Sequence, residues 1–409
     1  MLHDHGGLTG AVPRSARLMG AAAMSRVMLV CLAALAVNAV LIQTVVPEES
    51  SLKQLVRGSV LALVVFAMML NNTRVALPIV LLVLSSAVLL LVARNTDQFS
   101  YVFVLCMVAA LMAVPEQQVE RAVLLGSLGS LALVLVFLVL GITHNEVLDH
   151  RNRATFGTNG APFFYNLVYG ACALLVLVAT KRLRRGTAVL AWVAAAAAAT
   201  YFFVRTDLRG GYVSFLAFLF LMLVTPRLGR SAMFRWIAGS LPVIFLALSF
   251  YIGSLKHSEA ANVLLSYRPM LIGEFLEHVR PVDYLVGTSV KQFDEVVSSV
   301  TTVDNSYLHL LVGGGVLLCA AFVVLYWRAV GALLDGHQYA DVAFLAATML
   351  YFNTESILLR IENLFVVYTW YLVVRHGLVT RRRQEDVVGA DRTASATRAR
   401  TVAPRPTVA

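Results

Sequence analysis

Apolar residues in this chain run in blocks of about twenty, separated by short polar stretches. The blocks fall near 27–46, 52–70, 75–93, 98–114, 122–142, 163–180, 187–204, 212–225, 236–252, 307–326, 340–354 and 363–379. At about 1.5 Å of rise per residue, about 20 apolar residues span a bilayer core of about 30 Å. The pattern predicts an all-α, polytopic integral membrane protein with about 12 transmembrane helices, the second, fourth, eighth and eleventh being short.

Composition agrees. Of the 409 residues, 59% are hydrophobic and 14% charged, whereas soluble domains carry about 25% charge. No single soluble core could hide that apolar surface, which excludes ordinary soluble enzymes, secreted disulfide scaffolds and disordered chains. The net charge of +10 has no soluble face to occupy, so nucleic acid is not an expected partner. Placing both termini in the cytoplasm puts 21 of the 33 Lys and Arg inside, including Lys181, Arg182, Arg184 and Arg185 and the run Arg381–Arg383. Lys181–Arg185 then reads as a topology anchor. Cys31, Cys106, Cys172 and Cys319 all lie within apolar blocks and imply neither disulfide nor zinc site.

Three parts follow: a cytoplasmic segment 1–26, a membrane domain 27–379 with a large outer loop 253–306, and a disordered basic tail 380–409. No cleavable signal peptide is expected, and the first segment reads as a start-site extension.

The informative residues are basic ones on the outer side, against the topology signal. They are Arg57, Arg94, Arg151, Arg153, Arg205, Arg209, Arg268, Arg280 and Arg360. Guanidinium groups gathered on one face suit a polyanion, because each binds phosphate oxygens in bidentate fashion. The plainer alternative is that they snorkel or pair with neighbouring carboxylates. In the outer loop, Pro269–Val279 is compatible with a surface helix, with Glu274 and His278 on one face. Asp304-Asn305-Ser306 precedes the tenth block, where Asp304 is either a helix cap or a chemical group. Gly313, Gly314 and Gly315 permit close approach of a neighbouring helix or lipid chain. Glu355 closes the eleventh block, as half of an ion pair with Arg360 or as a general base in a wet cavity. The nine histidines show no metal-ligand spacing, and no phosphate-binding glycine loop occurs.

Three stretches resemble the O-antigen polymerase/ligase family of membrane glycosyltransferases. The first is Arg153-Ala154-Thr155-Phe156-Gly157, followed by Asn159. Here the family's histidine-proline-asparagine is replaced by Asn159-Gly160-Ala161-Pro162. The second is Leu208-Arg209-Gly210-Gly211-Tyr212, with Leu208 where the family has serine. The third combines Arg268, Pro281 to Gly287, and Asp304-Asn305-Ser306-Tyr307-Leu308. Ligases generally carry histidine at the place of Asp304, which favours polymerase. Glu355 after Thr354 is similar to a carboxylate near the penultimate span of many relatives. The likeness covers roughly 145–365.

The resemblance implies a polysaccharide polymerase in the plasma (inner) membrane of a bacterium, with its site facing outward. The substrate would be a polyprenyl-diphosphate-linked oligosaccharide, with membrane lipid around it and a chain-length regulator protein as a candidate partner. It implies Arg153, Arg209 and Arg268 at the diphosphate, and Asp304, Glu355 or His309 as the base. Arg205, Arg280, Asn305 and Tyr307 would make further substrate contacts. No cofactor and no metal are expected. A ligase of the same family ranks second, and a lipid-linked oligosaccharide transporter third.

Overall fold

The computed structural model describes residues 21–45, 51–70, 77–92, 97–148, 153–290 and 304–378, together with Val75 and Asn95. The architecture is helical. The first long helices are α1 (Ala21–Thr44), α2 (Ser51–Leu70), α3 (Leu77–Val92), α4 (Asp97–Leu111) and α5 (Glu116–Val139). A small antiparallel ribbon, β1 (Val147–Leu148) with β2 (Arg153–Ala154), is the one departure from all-α among the described residues. Then come α6 (Ala161–Arg182), α7 (Arg185–Thr206), α8 (Arg209–Leu228) and α9 (Ala232–Ser254). The segment after α9 carries α10 (Glu259–Leu264), α11 (Arg268–His278) and α12 (Pro281–Val286). The last three helices are α13 (Ser306–Asp335), α14 (Tyr339–Phe352) and α15 (Leu364–Leu378).

Eight of these, α1, α2, α5, α6, α7, α8, α9 and α13, are long and apolar enough to cross a membrane. Four shorter apolar helices, α3, α4, α14 and α15, fall on the remaining apolar blocks. The short members therefore differ from expectation: the second and eighth blocks are full helices of 20 residues, whereas the third and twelfth are not. In the last pair, residues 353–363 leave the helix and form an irregular polar segment between α14 and α15.

The core forms around α6, α14 and α15, which are buried along nearly their whole length. The helices on the rim present apolar side chains outward, such as Val204 on α7 and Phe220 on α8. Ala195 and Ala199 of α7 turn inward, so the alanine-rich stretch packs on one face only.

Alternate helix ends gather at two poles. At one pole Lys181 binds Asp341 at 2.8 Å, Glu116 at 3.3 Å and Glu120, while Arg182 reaches Glu120 at 2.7 Å. Arg375 adds a contact to Glu116 at 3.5 Å. Lys181 is thus the centre of a buried ion-pair network joining α5, α6 and α14, a role its place in the basic run Lys181–Arg185 did not show. Charges this deep require partners, and these have them.

The opposite pole is built on close backbone approach. Gly315 in α13 has φ 75°, and a Cβ there would stand 2.9 Å from the Leu285 carbonyl oxygen of α12. Just before it, α13 takes a π-helical turn at His309–Gly313, which leaves the Gly313 carbonyl free to accept from Asn95 and Gln98 at 2.8 Å each. Inserted π turns are frequent at functional sites.

Candidate functional site

Residues 353–363 hold non-helical backbone, whose polar groups need partners wherever they are buried. Ser306, at the start of α13, satisfies much of it. Its Oγ donates to the Glu355 carbonyl at 2.5 Å and accepts from the N–H groups of Ile357 and Leu358 at 3.0 and 3.1 Å. Trp370 Nε1 donates to the Leu358 carbonyl at 3.0 Å. The Glu355 side chain is held against this scaffold and is 4% exposed.

Asn305, not Asp304, caps α13. Its Oδ1 accepts from the N–H groups of Tyr307 and Leu308, both at 3.1 Å. Its Nδ2 donates to Ser249 Oγ at 2.7 Å and to the Asn353 carbonyl at 3.2 Å. With the cap filled, the Asp304 carboxylate is available for other work. Asp304 is exposed, yet burial is the main cause holding its carboxyl above the usual range, opposed by Arg268, Arg360 and His309.

Glu355 lies beside it. Burial raises the Glu355 carboxyl and the Asp304 charge raises it further, while Arg268, Arg360 and Arg153 pull it down; it ends at about 8. Arg268 Nη2 is 3.9 Å from Glu355 Oε1. Arg360 also stacks over the Phe163 ring at 4.7 Å. Arginines from β2, α11 and the 353–363 segment thus act on Glu355, and two of them, Arg268 and Arg360, act also on Asp304.

Strained backbone lies near three of the arginines the sequence offers for the diphosphate. Among the described residues, five that are not glycine have positive φ, and four of them flank the three arginines singled out in the sequence. Phe156 follows Arg153, Asp207 precedes Arg209, and Ser266 and Tyr267 precede Arg268. Such conformations cost about 1–3 kcal/mol each and collect where a chain must aim a side chain.

The other candidates divide. Arg209 stands at the rim, 68% exposed and 3.3 Å from Asp207. Its neighbour Gly210 abuts Thr354, so an added Cβ would lie 2.5 Å from Thr354 Oγ1. His309, in the π turn, acts electrostatically on Asp304. Arg205 is exposed and lies 5.9 Å from the Tyr201 ring centroid. Arg280 is bound to Asp283 at 3.0 Å, beside α12. Asn305 and Tyr307 are both buried, the latter donating to the Met349 carbonyl at 2.7 Å, so their polar groups serve the scaffold. Arg57 pairs with Glu362, and Arg94 and Arg151 lie outside the described residues. Arg360 was legible in the sequence as a candidate partner of Glu355; that it also acts on Asp304 is tertiary.

Among the described residues, no three His, Cys, Asp or Glu side chains are grouped to hold a metal ion. Comparison with known proteins finds no matching family model, no matching curated protein and no matching solved structure.

Proposed function

We propose that the protein is a membrane glycosyltransferase that polymerises oligosaccharide repeat units carried on polyprenyl diphosphate. In this reading the four shorter apolar helices also span, giving twelve spans with both termini cytoplasmic. The pole that holds Asp304 and Glu355 then faces the outside of a bacterial plasma membrane. The observation that carries the proposal is the Asp304–Glu355 pair under the charges of Arg268 and Arg360, with Arg268 in contact with Glu355 and Arg153 acting on Glu355 as well. A cluster richer in guanidinium than in carboxylate, at the edge of an apolar bundle, suits a lipid whose headgroup is a diphosphate.

The chemistry is a substitution at the anomeric carbon. The bond from that carbon to the diphosphate oxygen breaks, and a bond to the acceptor hydroxyl oxygen forms. Charge developing on the departing diphosphate is stabilised by Arg153, Arg268 and Arg360, with Arg209 meeting the headgroup at the rim. The acceptor proton passes to Asp304, the carboxylate that substrate can reach. Glu355, buried beside Arg268, orients that guanidinium. The polyprenyl tail lies along the exposed apolar faces of α8 and α9, where Val213, Leu216, Leu248 and Tyr251 are uncovered.

The test is surface-glycan length in a deletion strain complemented with wild type, Arg209→Ala or Arg268→Ala. The proposal expects long glycan with wild type and single repeat units with either variant. Complete glycan left on its lipid carrier in the deletion strain would identify a ligase instead. Single lipid-linked repeats held on the cytoplasmic leaflet would identify a transporter.

A further inference from the structure

Arg268 is an awkward residue to place where the fold puts it. It opens α11, a helix of 11 residues, at the end where the helix dipole is positive and a cation is disfavoured. The two residues before it, Ser266 and Tyr267, both have left-handed backbone, at φ 56° and 63°. A bulky side chain such as tyrosine rarely adopts that conformation.

One buried residue, Asn262, holds this stretch through its backbone and its side chain together. Asn262 of α10 is 8% exposed and uses its backbone carbonyl, its Oδ1 and its Nδ2 together. Its carbonyl accepts from the Tyr267 N–H at 2.7 Å, and its Oδ1 accepts from the Met270 N–H at 2.9 Å. Its Nδ2 donates to the Lys256 carbonyl at 2.7 Å. The first two bonds grip the chain on either side of Arg268, and the third ties that grip to the end of α9. Further along, α11 is seated on α9 through Gly273, whose Cβ position would lie 2.7 Å from the Gly253 carbonyl oxygen. Met270 N–H, one of the amides that an anion would seek at this helix start, is thereby occupied, and the positive charge is delivered by the Arg268 side chain alone.

We propose that Asn262 is a positioning residue for the site: it holds the strained Ser266–Tyr267 turn that aims Arg268 at Glu355 and at the substrate anion. The inference rests on the proposed function for the anion, but the aim at Glu355 can be read without any substrate.

The experiment is an infrared titration of the purified full-length protein in micelles. The Glu355 carboxyl band is identified by its absence in Glu355→Gln. Arg268→Ala removes a nearby cation and should raise the Glu355 midpoint by about one pH unit or more. Asn262→Ala keeps the carbonyl bond to Tyr267 but loses both side-chain bonds, so it should raise the midpoint by a measurable part of that shift, and the double variant no further than Arg268→Ala alone. Adding Ser266→Gly, which adopts the left-handed turn without strain, should restore part of the Asn262→Ala shift. If Asn262→Ala does not fold, Asn262→Asp keeps the acceptor for Met270 and loses the donor to Lys256, and should show an intermediate shift. A folded Asn262 variant with the wild-type midpoint would overturn the proposal. So would a double variant shifted well beyond Arg268→Ala. Binding of a polyprenyl diphosphate in the same micelles separates the two claims. Wild type that binds none, with the carboxyl shifts as expected, would sink the proposed function and leave the positioning role standing.

Discussion

Glu355 is a carboxyl whose protonation is linked to folding. Its ordinary value is 4.5, and in the folded protein it stands at about 8. The folded state thus binds a proton that the unfolded state has released, and stability falls as pH rises between those values. Glu355→Gln resembles the protonated form. It should match wild type in thermal stability near the acid end of that window and exceed it above about pH 8. Melting curves in detergent across that range would check it, and a variant equally destabilised at every pH would contradict the assignment. At this scale the sequence was partly legible. Outer-side arginines stand out because they oppose the topology signal, and Glu355 stands out because carboxylates are rare in apolar blocks. Asp304 and Asn305 could not be separated as cap and functional group, since both cap helices well; only the bonds from Asn305 to Tyr307 and Leu308 divide the roles. Asn262 gives no signal at all, because an asparagine eight residues before Met270 looks like any loop residue.

Among elements, the decisive one is the irregular segment between α14 and α15. Apolar periodicity places its flanking helices well, because that signal is local. It cannot show that the segment is held by Ser306, some fifty positions earlier in the chain. Ser306→Ala would leave the N–H groups of Ile357 and Leu358 without their acceptor in a buried setting. The loss should be about 1–3 kcal/mol, read as a lower melting temperature. It should also lower activity, because Glu355 and Arg360 ride on the same backbone. A variant with wild-type stability would mean that water or another group satisfies those amides. The hydrophobic pattern also missed the β1–β2 ribbon, whose two-residue strands are too short to show alternation.

At the scale of the molecule, the two poles carry opposite kinds of charge design. The pole of Lys181 is closed and self-balanced, with Glu116, Glu120 and Asp341 facing Lys181, Arg182 and Arg375. From sequence it looked like a topology anchor because its carboxylate partners lie 65 and 160 positions away. Lys181→Met would leave Asp341 buried without its lysine and should cost about 3–5 kcal/mol, seen as loss of folded protein in a thermal or size-exclusion assay. The pole of Glu355 is open, with three arginines against two carboxylates and strained backbone around them. The first arrangement stabilises a bundle; in the proposed reading the second meets the negative charge of a ligand.

The most direct test of that contrast is polymer synthesis by purified protein in lipid bilayers, supplied with lipid-linked repeat units extracted from the deletion strain. Wild type should yield a ladder of lengthening glycans and release one polyprenyl diphosphate for each bond formed, while Arg268→Ala yields neither. A wild-type protein that forms no ladder, or an Arg268→Ala protein that forms the same one, would contradict the account.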